Sequence, residues 1–243
     1  MTLKNVIKDM TPTYKLTLPY SKKIVTYRPF LVKEERNLLL AIESKDQEQI
    51  LQSIISTINA CVKTNKFNVE SLPIFELEYL FLNIRAKSVG EVIDVKVIDP
   101  ETEKEYVSSI NIEDVSIPKV EIDHEIKVND DLMIELDFPR FGEVMKTLIS
   151  VPQDQTESVA QIDASMDMVA SCIKEIHHGD KTYKTADVTH EELKEFVTTL
   201  PRDILDKISE YYKNLPTVTK DVEYTTEEGE EKSIELKGIN SFL

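Results

Sequence analysis

The chain has 243 residues, with 29 Lys and Arg against 45 Asp and Glu, a formal charge of −16 and a pI near 4.8. Such a surface repels a polyanion, and no basic patch offsets it, so nucleic acid is excluded as a partner class. Hydrophobic residues make up 41%, enough for a buried core, and no apolar run reaches the roughly 18 residues that a membrane span needs.

The amino end, Met1 to Met10, carries Asp9 and no apolar stretch of signal-peptide kind, so a soluble protein is expected. Tyr14 to Phe30 alternates through Leu16, Leu18, Ile24, Val25 and Tyr27 around Pro19 to Lys22, which predicts a hairpin. Leu31 to Ile42 follows as a helix with Leu38, Leu39 and Ile42 toward a core. Ser44-Lys45-Asp46-Gln47 fits a capping box opening a second helix, whose Ile50, Leu51, Ile54, Ile55, Ile58, Cys61 and Val62 recur at helical spacing. Pro73 then begins a helix, Ile74 to Lys87, that is apolar on nearly every side and is therefore central.

Gly90 closes that helix. Ile93, Val95 and Val97 alternate with Asp94 and Lys96, and a turn at Asp99 to Glu103 leads to Glu105 to Ile112; two further strands flank Asn129-Asp130. Residues 91–138 thus read as one small antiparallel sheet. Helical spacing returns weakly through Phe141, Val144, Met145 and Leu148. It is stronger through Val159, Ile162, Met166, Val169, Cys172, Ile173 and Ile176, in a helix expected to run to Gly179. Thr189-His190-Glu191-Glu192 is a capping box, Pro201 starts a further helix, and Val218 to Thr225 with Ser233 to Lys237 make a closing hairpin around the acidic tip Glu227 to Glu231. The expected class is α+β: a helical core with an inserted small antiparallel sheet and N- and C-terminal β-hairpins. Its expected parts are 1–90, 91–138 and 139–243.

Little catalytic chemistry is on offer. Cys61 and Cys172 fall at core positions of helices, which indicates two reduced, buried thiols and a cytoplasmic folding environment. With 5 glycines there is little material for phosphate-cradling loops, and no GxSxG or HExxH is present. His177-His178-Gly179-Asp180 offers imidazoles and a carboxylate for a metal-dependent hydrolase. Adjacent helical side chains diverge by about 100°, however, so a helix end with His against the dipole is the plainer reading. Neither His124 nor His190 suggests a triad. The distinctive segments left are apolar ones: Pro29-Phe30, and Ile239, Phe242 and Leu243 at the carboxyl end, which either pack on their own core or anchor a partner.

Three segments resemble the baseplate hub assembly proteins of T-even-type bacteriophages: Tyr27-Arg28-Pro29-Phe30 with the acidic helix after it, Leu72-Pro73 followed by Glu78-Tyr79-Leu80-Phe81, and Arg85-Ala86-Lys87-Ser88-Val89-Gly90-Glu91. The end, Leu236-Lys237-Gly238-Ile239-Asn240-Ser241-Phe242-Leu243, is similar to that family's closing Leu-x-Gly-Leu and aromatic pair, with Leu243 in place of the second aromatic. The resemblance implies a non-enzymatic tail protein that binds other baseplate hub proteins, the tape-measure protein among the candidates. It would act as an assembly chaperone in the host cytoplasm or as a permanent hub subunit of the virion. Cys pairs in the β segments of relatives would suit a zinc ribbon, whereas residues 91–138 and 217–237 here hold no Cys, so no metal or cofactor is carried over. Arg28, Pro29, Phe30, Arg85, Lys87, Ile239, Phe242 and Leu243 are the candidate partner-binding residues. Arg85 and Lys87 have a second reading, as a helix cap or as partners of Glu78 and Glu91.

Overall fold

The computed structural model describes residues 11–150 and 157–242, with the side chains of Gln47, 146–150 and 157–164 outside the description. The expectation for Met1 to Met10 and the anchor Leu243 lie outside the described residues. The first elements follow the alternation of the sequence. β1 (Tyr14–Thr17) and β2 (Ile24–Tyr27) pair antiparallel from Tyr14 opposite Tyr27 to Thr17 opposite Ile24. Helices α1 (Val32–Ser44) and α2 (Gln47–Cys61) come next. The cap between them is Asp46 and not Ser44. Ser44 still belongs to α1, where its hydroxyl donates to the Ala41 carbonyl at 2.6 Å, while the Asp46 carboxylate accepts from the amides of Glu48 (2.9 Å) and Gln49 (3.2 Å). A carboxylate at a helix start also gains from the dipole, which a hydroxyl does not.

α3 (Ile74–Val89) buries Phe75, Leu77, Leu80, Phe81, Leu82, Ile84 and Ala86, so it is the central helix its all-round apolar sequence requires. The chain divides into two compact units, one of Met1–Val69, Phe75–Pro118 and Thr217–Leu243, the other of Glu70–Ile74 and Lys119–Pro216. In the first, the hairpin β3 (Val92–Ile98) and β4 (Glu105–Asn111) and the hairpin β9 (Thr219–Thr225) and β10 (Glu231–Lys237) pack Val95, Val97, Ile110, Val222 and Tyr224 with Leu82, Ala86 and Phe242.

The second unit corrects two expectations. Residues 91–138 do not make one sheet: β5 (Glu125–Lys127) and β6 (Leu132–Leu136) join β7 (Ile173–His178) and β8 (Lys181–Lys184) in a separate sheet ordered β5-β6-β7-β8. Nor does the helix before Gly179 run through: after α4 (Phe141–Ser150), α5 (Glu157–Cys172) stops and β7 begins at Ile173. A register shift between Glu135 and Leu136 sets Ile176 opposite Ile134 but Ile173 opposite Leu136. That bulge lets two isoleucines three apart face one core, which in sequence is indistinguishable from helical spacing.

α6 (His190–Thr199) and α7 (Arg202–Lys213) complete the unit, packing Leu193, Val197, Ile204, Ile208 and Tyr211 against Ile134, Leu136, Val169 and Ile176. The expected capping box opens α6. Thr189 Oγ1 accepts from the Glu192 amide at 3.2 Å, and the Thr189 amide donates to Glu192 Oε2 at 2.9 Å. Thr189→Ala should therefore cost about 1 kcal/mol in urea unfolding, with hydrogen exchange quickening first at the start of α6.

Candidate interaction surfaces

Arg28 leaves β2 with its amide bonded to the Cys61 carbonyl (3.0 Å), and its guanidinium turns inward. Nη2 donates to Glu34 Oε1 at 3.1 Å and Nη1 to the Pro29 carbonyl at 2.7 Å, while the Leu31 amide donates to Glu34 Oε2 at 2.7 Å. Burial pushes the Glu34 carboxyl up, but Arg28 and the Leu31 amide outweigh it and hold the group below its ordinary value. Phe30 is buried beside this knot, its amide donating to Ser88 Oγ on α3 at 2.9 Å. Pro29 is half-buried between them. The segment chosen from sequence thus fastens β2, α1 and α3 together. Burial raises the Cys61 thiol to about 11 and the Cys172 thiol to about 12, so both are protonated and inert at neutral pH.

α1 exposes three apolar side chains among Lys33, Arg36, Asn37 and Glu43. Glu34, Leu38 and Ala41 face in, and Val32 (79% exposed), Leu39 (55%) and Leu40 (53%) face out. Helical spacing predicts Leu39 in the core, but an inner face at 34, 38 and 41 leaves 32, 36, 39 and 43 on the outer stripe. The buried acid at 34 was the missing signal, since a glutamate is normally assigned to the solvent side.

Lys87 donates to Glu91 Oε1 and Glu113 Oε1, each at 2.6 Å, and lies 5.8 Å from the Tyr14 ring centroid; these carboxylates raise its pKa. The expected pairing with Glu91 is present. Arg85 differs: its Nη1 is buried with no hydrogen-bond partner among the described residues, and desolvation lowers its pKa. At the carboxyl end Ile239 and Phe242 are 6% and 1% exposed, so both pack inward. Glu78 holds this end, accepting from the Ile239 amide and Thr217 Oγ1, each at 3.3 Å, while burial raises its carboxyl.

The histidine cluster does not assemble as the hydrolase reading needed. His177 and His178 alternate on a strand, which sends them to opposite faces, and Gly179-Asp180 form the β7–β8 turn. His177 instead meets Glu135 and Glu175, its Nε2 3.8 Å from Oε2 of each, while its Nδ1 lies 3.0 Å from Thr182 Oγ1. His124 Nδ1 sits 3.1 Å from both the Leu136 carbonyl and the Tyr211 hydroxyl.

A cleft of about 930 Å³ lies among residues of α5 and α6, with Asp167, Ser171, Thr185, His190 and Lys194 in its wall. Asp167 accepts from Lys194 at 3.0 Å and faces His190 at 3.3 Å, and the Ser171 and Thr185 hydroxyls donate to backbone carbonyls. Among the described residues no hydroxyl there is paired with a base, so the arrangement is not that of an activated nucleophile.

Among the described residues no helix is long and apolar enough to cross a membrane. No curated protein and no solved structure matches the chain. The family model described as T4 bacteriophage base plate protein matches residues 11–243, which covers every element above. By that match the chain belongs to the T4 bacteriophage base plate protein family.

Proposed function

We propose that this baseplate protein is an assembly chaperone of the central hub, which holds other tail proteins until their lasting partners arrive and makes or breaks no covalent bond. The observation that carries the binding role is the solvent-facing row of Val32, Leu39 and Leu40 on α1, three large apolar side chains set among exposed charges on a chain whose net charge of −16 otherwise favours water. It directly follows Arg28-Pro29-Phe30, the segment most distinctive of hub assembly proteins, so the knot at Arg28 sets the angle at which the row is presented. Arg85, whose Nη1 is buried without a hydrogen-bond partner among the described residues, supports the same reading, because a partner's acid would restore what desolvation has cost it. Covering a sticky surface in one state and releasing it in another needs only differential affinity.

Co-expression with the hub and tape-measure proteins, followed by size exclusion, should yield a defined complex. Leu39→Asp with Leu40→Asp should weaken it by about 2–4 kcal/mol, the size of a lost interface anchor, with folding unchanged because both side chains are solvated. Wild-type binding by the double variant would remove α1 as the docking face. Mass spectrometry of purified particles separates the chaperone, which is absent from them, from a permanent hub subunit, which is present.

A further inference from the structure

The sheet β5-β6-β7-β8 sets Glu125, Glu135 and Glu175 side by side on adjacent strands, since Glu125 pairs with Glu135 and Glu135 with Glu175. Like charges directly opposite one another destabilise a sheet. His177, two residues along β7 from Glu175, lies on the same face. We propose that Glu135, Glu175 and His177 bind a zinc ion, which clips β6 to β7.

Three features point to zinc. The ligand atoms already converge: one from each of the three residues, all within 4.8 Å of one another. A tetrahedral ion with bonds of about 2.0–2.2 Å needs them about 3.3–3.6 Å apart, so a contraction of at most about 1.5 Å, within reach of side-chain torsions, completes the set. The donors are also orientated. Lys174 donates to Glu135 Oε1 at 2.5 Å and the Lys184 ammonium lies 3.8 Å from Glu175 Oε1, while both Oε2 atoms face His177 Nε2, at 3.8 Å each. Thr182 Oγ1, 3.0 Å from His177 Nδ1, ties down the far side of the ring, as partners of ligating histidines do. Finally, the three side chains are 22–29% exposed, shielded yet open to an entering ion, and an imidazole with two carboxylates selects zinc over magnesium or calcium. The remaining position falls to water.

The site is independent of the hub role. Calorimetric titration of the full chain with zinc chloride, after chelator treatment, should show one saturable site. Glu175→Gln and His177→Ala should each weaken binding at least 10-fold, and Thr182→Val about 10-fold, the usual loss when a ligand's hydrogen-bond partner is removed. His178→Ala, on the opposite strand face, should bind as the parent does. Far-UV circular dichroism establishes that each variant is folded, and Glu175→Gln carries the test if His177→Ala is not. Absence of saturable zinc uptake, or parental affinity in the ligand variants, would overturn the site.

Discussion

Phe242→Ala should destabilise the first unit by about 3–5 kcal/mol, a large share of the stability of an ordinary domain. The ring is 1% exposed and packs with Leu82, Val95, Val97, Val222 and Tyr224 from three different elements. Alanine leaves a cavity whose walls are two hairpins and the central helix. None of them can move in without giving up its own contacts. Hydrogen exchange is the discriminating measurement: amides of β3, β4 and β9 should lose protection, while those of β6 and β7 in the second unit keep theirs. A urea midpoint displaced by less than about 1 kcal/mol would show that the terminal turn merely rests on the core. The result also bears on docking, because an anchor buried this completely affects a partner first through folding. Complex formation by this variant must therefore be measured well below its unfolding midpoint.

The parts of the fold that were legible in the sequence are those whose signal is local. The hairpins at 14–27 and 219–237, the capping box at Thr189 and the apolar helix after Pro73 each state their structure within a few residues, and both buried cysteines followed from their spacing. Long-range pairing left weaker traces. That β6 meets β7 across some forty residues is written nowhere near either strand, and the bulge opposite Ile173 presented strand residues at a helical interval. The same holds for candidate sites. Arg28, Phe30 and Phe242 stand out by residue type, but whether they face a partner or the core depends on packing; the structure buries all three. Leu39 reads as a core leucine in the sequence, because only the inward turn of Glu34 reveals which way α1 is rotated. Glu135, Glu175 and His177 become neighbours only once strand register is known.

Arg28→Ala should cost about 3 kcal/mol at neutral pH, because it leaves the buried Glu34 carboxylate with only Lys33, a largely exposed cation 3.0 Å from Oε1. The guanidinium and carboxylate are 11% and 7% exposed, so neither water nor salt screens the pair effectively. The pH dependence identifies the cause. In the parent, Glu34 titrates below its ordinary value, so the unfolded chain binds protons more readily and stability falls as pH drops through the acid range. Without Arg28, burial, the largest influence on this carboxyl, acts against a smaller opposition and raises its pKa. The variant then keeps a protonated Glu34 to higher pH, and the difference between the two proteins is largest near pH 7 and narrows as pH falls through the acid range, where the carboxyl becomes neutral first in the variant and only later in the parent. Urea unfolding at several pH values reads this directly. Removing both partners, Arg28→Ala with Glu34→Ala, should cost less than the sum of the single changes, with a coupling of about 1–3 kcal/mol. A pH-independent difference would instead make Arg28 a packing residue. The test matters for function because the knot fixes the start of α1. If it loosens, the Val32, Leu39 and Leu40 row is no longer presented at one angle, and hub binding should weaken in a variant whose exposed residues are all intact.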